Sequence, residues 1–113
     1  MTQAFDASFA SIDPSDLAEQ LERGDRIRLV DVREHLESRI ASVKGSELVP
    51  LGTLPDAVGR FGLDEEIVVM CHHGIRSQMA CEFLLQSGFT RVRNLSGGID
   101  RWSIEVDPTV PRY

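Results

Sequence analysis

Long apolar runs are absent from this 113-residue chain: no stretch of eighteen apolar residues occurs, so no membrane-spanning helix is expected. The opening residues, Met1-Thr2-Gln3-Ala4-Phe5-Asp6, lack a basic segment followed by an apolar one, so no signal peptide is expected and the cytoplasm is the expected location. Positive charge is in short supply, with 12 Lys and Arg against 18 Asp and Glu, for a net charge of -6. That balance disfavours nucleic acid and anionic membranes as partners. Cysteine is scarce too. Cys71 and Cys81 would need a distorted backbone to bridge within one strand–loop–helix unit, so both are expected as thiols of a reducing compartment. No repeat, low-complexity tract or inter-domain linker is present.

What remains is an ordinary globular composition, 42% hydrophobic and 27% charged, at a length that suits one domain. A single domain over 1–113 is expected, with its core over about 9–104 and an extended tail over 105–113. The centre of the chain is Ile67-Val68-Val69-Met70-Cys71-His72-His73-Gly74-Ile75-Arg76-Ser77. Four apolar residues without alternation predict a strand buried on both faces, the kind a parallel sheet needs. Met79, Ala80, Phe83, Leu84 and Ser87 follow at helical spacing, and Gly88 is a suitable stop. Cys71 is thus expected at the carboxyl end of a strand, where open α/β sheets bind ligands and helix amides can hold an anion.

The other elements follow in order. Phe9–Ile12 reads as an edge strand. Asp13-Pro14-Ser15-Asp16 starts a helix whose buried stripe is Leu17, Ala18 and Leu21, ending at Gly24. Ile27–Val32 is a strand leading into Arg33-Glu34, then a short helix over roughly Glu34–Ile40 with Leu36 and Ile40 inward. Lys44-Gly45-Ser46 is a turn and Glu47-Leu48-Val49 a short strand. Leu54–Phe61 reads as a helix with Leu54, Val58 and Phe61 inward. Val92–Leu95 is the last strand, and Gly97-Gly98 opens a final turn or helix carrying Ile99 and Trp102. Strands alternating with helices predict an α/β domain with a mainly parallel sheet of about five short strands and helices on both faces.

Free thiols are mostly protonated at neutral pH, and a helix N-terminus beside cations favours the thiolate. The Cys71 loop offers such a setting through the amides around Gly74, a helix start near Ser77, and Arg76. Gly74 suits an anion-holding curl that needs positive φ, and Ser77 suits the helix N-cap. Arg76 is expected either to pair with a carboxylate, Asp31 and Glu34 being candidates, or to meet an incoming oxyanion. The residues therefore predict a nucleophilic cysteine in an anion cradle.

Cys71-x-x-Gly74-x-Arg76-Ser77 after a Val-rich strand resembles the active-site loop of the rhodanese sulfurtransferase family. Leu29-Val30-Asp31-Val32-Arg33-Glu34 resembles that family's "DVRE" segment. Lys44-Gly45-Ser46 through Pro50-Leu51 is similar to its "GA…IPL" stretch, and Gly88-Phe89 through Trp102 matches a further landmark. The resemblance implies a rhodanese-like fold with Cys71 as the catalytic nucleophile. The Cys71 thiolate would take a sulfane sulfur from thiosulfate or another small anionic donor and hold it as a persulfide. It would pass the sulfur to cyanide, a thiol or a sulfur-carrier protein, with no cofactor. His72, His73, Gly74, Ile75, Arg76 and Ser77 would bind substrate, with Asp31, Arg33 and Glu34 in support. The alternatives are a non-catalytic rhodanese-like binding module and a cysteine phosphatase or arsenate reductase. Four residues, His72 to Ile75, separate Cys71 from Arg76, whereas the related phosphatases keep five. Ala41-Ser42-Val43 replaces the family's usual Gly-His-Ile, and Ser42 is expected to stand in weakly for a histidine that braces Asp31.

Plainer readings apply to several residues. Cys81 is expected as a small buried hydrophobe. His72 and His73 either tune the cleft or are solvated. With no CxxC or HxxxH pair, and adjacent residues rarely facing one ion, no metal site is expected. His35 reads as a surface residue and Asp31 as a hydrogen-bonding residue at a strand end. Arg33 reads as a rim cation or, preferably, part of a surface ion pair. Gly97-Gly98 and Trp102 read as packing near the loop.

Overall fold

The computed structural model describes residues 10–113; Phe9 of the expected first strand lies outside the described residues. Five strands, β1 (Ala10–Ile12), β2 (Arg28–Asp31), β3 (Glu47–Leu48), β4 (Ile67–Met70) and β5 (Val92–Leu95), form one sheet. Their order is β1-β5-β4-β2-β3, and every pairing is parallel. Between them run α1 (Pro14–Glu22), α2 (His35–Ile40), α3 (Leu54–Ala57) and α4 (Ile75–Gln86), and α5 (Gly98–Glu105) follows β5.

The unalternating run Ile67–Met70 is explained by the two cores. Ile67, Val69 and Cys71 enter one cluster with Leu54 of α3 and Ala80, Cys81 and Leu84 of α4. Val68 and Met70 enter the other, with Leu17 of α1 and Ile99 and Trp102 of α5. β4 therefore sits at the middle of the sheet with both faces covered, and its carboxyl end is the natural crevice of such a fold.

Several local expectations need correction. Leu36 and Ile40 do not face inward; α2 buries none of its residues. Both sheet faces are already covered by the other helices, which leaves this six-residue helix no apolar surface to meet. Met79 and Ser87 are likewise exposed, and the buried stripe of α4 is Ser77, Ala80, Cys81 and Leu84. The helix expected over Leu54–Phe61 shortens to α3 followed by a 3-10 turn, Val58–Arg60, which contains the poor helix former Gly59. Asp13 precedes α1 without capping it through its side chain. The segment after α5 is not wholly superficial: Val110 is buried in the second cluster, and Ser103 donates a hydrogen bond to its carbonyl. The chain then returns to place Tyr113 beside α2.

Candidate active site

Cys71 follows directly from β4, and its side chain lies at the floor of the loop, the residue being 1% exposed. Its Sγ accepts hydrogen bonds from the backbone N–H of Gly74 at 3.1 Å and of Ser77 at 3.4 Å. Gly74 can bring its amide there because it adopts φ +115°, which also begins α4. Ser77 is therefore not the N-cap: Gly74, three residues earlier, is, and Ser77 is buried in the helix's first turn. Its hydroxyl lies 3.4 Å from Sγ and donates to Asn94 Oδ1 at 2.5 Å. Asn94 Nδ2 in turn donates to the Gly74 carbonyl at 3.2 Å, so β5 braces the loop from the adjacent strand. The amino end of α4 points its positive dipole end and two amides at the sulfur, an arrangement that favours an anion there.

The far side of the loop is held by α5. Ile99 N–H donates to the Cys71 carbonyl at 2.9 Å, and Asp100 N–H to that of His72 at 3.2 Å. Gly98, at φ +62°, has no room for a side chain, because a Cβ would collide with both of those carbonyl oxygens. Gly97-Gly98 thus packs against the loop as well as turning the chain.

Arg76 takes neither expected carboxylate partner. Its two terminal nitrogens donate to Glu37 Oε1 and Oε2 at 2.6 and 2.8 Å. Glu34 instead starts α2 in a capping box with Glu37, whose Oε1 accepts from the Glu34 N–H at 3.1 Å. Tyr113 Oη also donates to Glu37 Oε2, at 2.8 Å. The bond from Arg76 holds the Glu37 carboxyl well below its usual range, at about 2, and Glu37 raises the Arg76 guanidinium in turn. Glu37 went unassigned in the sequence reading, although the Glu34-x-x-Glu37 spacing is a capping-box signal.

This pair makes a pH prediction. A carboxyl lowered in the fold stabilises it fully above the unfolded value near 4.5 and loses that contribution as the pH falls toward about 2. Glu37→Gln is expected to cost about 1–2 kcal/mol at neutral pH, a value reduced for partial exposure. Urea unfolding at pH 7, 4 and 3 should show that difference shrinking over this window.

Arg33 is neither a rim cation nor part of a surface pair. It is fully buried, with Nε and Nη2 on the two Asp31 oxygens and Nη2 on the Ala41 carbonyl at 2.7 Å. Its Nη1 donates to Tyr113 Oη at 2.9 Å. Arg33 therefore braces Asp31, the role expected of Ser42, which is exposed.

His72 is sandwiched between the rings of His73 and Tyr113, each centroid 3.9 Å away, and burial pushes its imidazole below the usual range. His73 is exposed, and its Nε2 lies 3.8 Å from Asp100. Contrary to the expectation for adjacent histidines, donor atoms of His72, His73 and Asp100 gather within 4.8 Å of one another. The two histidine rings stack 25° from parallel. Arg112 also occupies the Asp100 carboxylate, at 2.8 and 3.3 Å. Ile75 directs its side chain to solvent, and His35 is exposed as read. Cys81 is buried in the core, and burial pushes its thiol up to about 12.

A cleft of about 820 Å³ opens at the opposite end of the sheet, between Arg28 and Glu65 among others. Arg28 pairs there with Glu65 and Arg91 with Glu66, and no cysteine, serine or histidine lines it.

A cysteine sulfur held by helix-start amides places the chain among wholly parallel α/β domains with a cysteine at the carboxyl end of a central strand. Within that class the chain belongs to the rhodanese-like domain family, whose model matches residues 13–105. It is 39% identical over 93 residues to the Rhodanese-like/PpiC domain-containing protein 12, chloroplastic, of Arabidopsis thaliana, covering 79% of this chain and 31% of that protein. It is 33% identical over 92 residues to a sulfurtransferase of Allochromatium vinosum, covering 81% of this chain and 86% of the relative. The crystal structure of a rhodanese-related protein from Thermoplasma volcanium matches with a TM-score of 0.80 and 32% identity, over 93% of this chain and all of the other. Among the described residues, no helix is long and apolar enough to cross a membrane.

Proposed function

We propose that this protein is a sulfurtransferase that carries sulfane sulfur as a persulfide on Cys71. The Cys71 thiolate attacks the outer sulfur of a small anionic donor such as thiosulfate. The donor's S–S bond breaks, and sulfite leaves with the electron pair. The persulfide's terminal sulfur is then attacked by cyanide, a thiol or a sulfur-carrier protein, and the Cys71 thiolate is the leaving group. No cofactor is needed, because donor and acceptor supply all the atoms and electrons. A cytoplasmic setting fits, since reducing conditions keep such a thiol free.

The observation that carries the reading is the pair of N–H donors, from Gly74 and Ser77, aimed at Sγ. Fixed amides stabilise charge at an anionic intermediate without reorganising. The four-residue span from Cys71 to Arg76 favours sulfur over the wider cradle of a phosphatase. Retention of the cysteine favours catalysis over a purely binding role.

The test is steady-state kinetics with thiosulfate and cyanide, following sulfite and thiocyanate. Ping-pong behaviour is expected, and hydrolysis of an aryl phosphate without sulfur transfer would reverse the assignment. Ser77→Ala removes the hydroxyl beside Sγ but keeps the backbone amide. It should lower kcat on the order of 10-fold with little change in fold, as read by circular dichroism and the same assay.

A further inference from the structure

Tyr113 lies where the chain after α5 returns to the Cys71 loop. Its hydroxyl accepts a hydrogen bond from Arg33 Nη1 at 2.9 Å and donates one to Glu37 Oε2 at 2.8 Å. The direction is fixed, because a guanidinium has no acceptor and the hydroxyl proton must go to the carboxylate. Arg33 is itself locked on Asp31 and the Ala41 carbonyl, and the Tyr113 ring stacks on His72 only 7° from parallel. Ring and oxygen are thus both held. Glu37 carries this constraint to the loop. Its Oε1 accepts from the Glu34 N–H and from Arg76 Nη1, and its Oε2 from Tyr113 and from Arg76 Nη2. One anchored donor on each oxygen sets the plane of the carboxylate, whose terminal torsion is otherwise broad. The bidentate fork then sets the plane of the Arg76 guanidinium.

We infer that Tyr113 is a positioning residue for sulfur transfer, its hydroxyl fixing Glu37 so that Arg76 presents its remaining N–H groups to the oxygens of the sulfur donor; the inference rests on the sulfurtransferase reading. Arg76 directly precedes Ser77, whose amide faces Sγ, and its side chain is 33% exposed. Glu37 engages one N–H of each terminal nitrogen, which leaves others available to an anion. Thiosulfate carries its charged oxygens on the sulfur that leaves, so a cation beside the nucleophile can orient it. Without the Tyr113 hydroxyl the carboxylate is anchored at Oε1 alone, and the guanidinium follows its rotation. That loss orphans neither partner: Arg33 Nη1 keeps the Glu37 carbonyl at 3.3 Å, and Glu37 Oε2 keeps Arg76. The segment also stays docked, through buried Val110, the Ser103 bond to its carbonyl, and the Arg112–Asp100 pair. Tyr113→Phe therefore removes the hydroxyl while keeping the ring on His72.

The test follows the half-reactions separately in the full chain. Sulfite release reports loading by thiosulfate, and thiocyanate release reports discharge by cyanide, which has no oxygens to orient. In Tyr113→Phe the second-order rate constant for loading is expected to fall about fivefold, with discharge staying within about twofold of the parent protein. Glu37→Ala should slow loading at least as much. Adding Tyr113→Phe to it should then change the rate by less than about twofold, because the hydroxyl has no carboxylate left to hold. Unchanged loading in Tyr113→Phe overturns the proposal. Equal slowing of loading and discharge leaves Tyr113 a purely structural role and overturns it too, as do effects of the two substitutions that multiply. A parent protein that takes up no sulfur overturns the sulfurtransferase reading and this inference with it.

Discussion

Replacing Cys71 with serine is expected to reduce sulfur transfer on the order of 10⁴-fold or more, to the level of the uncatalysed reaction. A serine hydroxyl would occupy the same place and could accept the same bonds from the Gly74 and Ser77 amides. Those bonds do not rescue it. A hydroxyl is a weak nucleophile at neutral pH without an adjacent base, and no base among the described residues bonds to Sγ. Oxygen also cannot form the sulfur chain from which the second nucleophile takes its atom. Cys81 supplies the control. Its thiol, pushed up to about 12 by burial, stays protonated at neutral pH, and Cys81→Ala should keep transfer within about twofold despite the small cavity. Parallel assays of both variants with matched circular dichroism spectra separate loss of the nucleophile from loss of the fold.

The second large effect is on stability. Asp31→Ala is expected to destabilise the domain by about 3–5 kcal/mol, because it leaves the Arg33 guanidinium buried without its counterion. Arg33 and Asp31 are both essentially inaccessible, and Asp31 also accepts the Arg33 backbone N–H at 3.1 Å. The Ala41 carbonyl and Tyr113 hydroxyl would remain as partners for Arg33, but neither carries a full charge. Replacing both members together, Asp31→Leu with Arg33→Met, should cost less than Asp31→Ala alone, since no unpaired charge stays behind. Urea denaturation of the two variants tests this, and a mild effect of Asp31→Ala would mean that water reaches the pair.

Much of the architecture was legible because it follows from local pattern. An unbroken Ile-Val-Val-Met run has few homes other than a central parallel strand, and β4 occupies that place. The position of Cys71 at its carboxyl end, next to a glycine able to curl the chain, followed directly. The orientation of α2 was not legible. Leu36 and Ile40 carry the spacing of an inward face, yet the sheet had no uncovered face left to receive them, and that depends on elements far away in sequence. Glu37 was passed over in favour of Asp31 and Glu34 because those lie nearer the strand end. It is the capping box that holds Glu37 where Arg76 can reach it. Ser77 looked like a cap by residue type, but Gly74 at positive φ begins the helix first and turns the serine inward to Asn94. Tyr113 could not be placed at all from local pattern. Its bonds to Arg33 and Glu37 span 80 and 76 residues and depend on the return of the chain after Val110.

The most direct measurement is the mass of the intact protein and of its Cys71 peptide after thiosulfate treatment and removal of excess donor. A gain of about 32 Da, the mass of one sulfur, is expected on the Cys71 peptide, with none on the peptide carrying Cys81 alone, and the gain should be discharged by cyanide. An unmodified Cys71 after exposure to thiosulfate and to persulfide donors, in protein shown to be folded, would contradict the account.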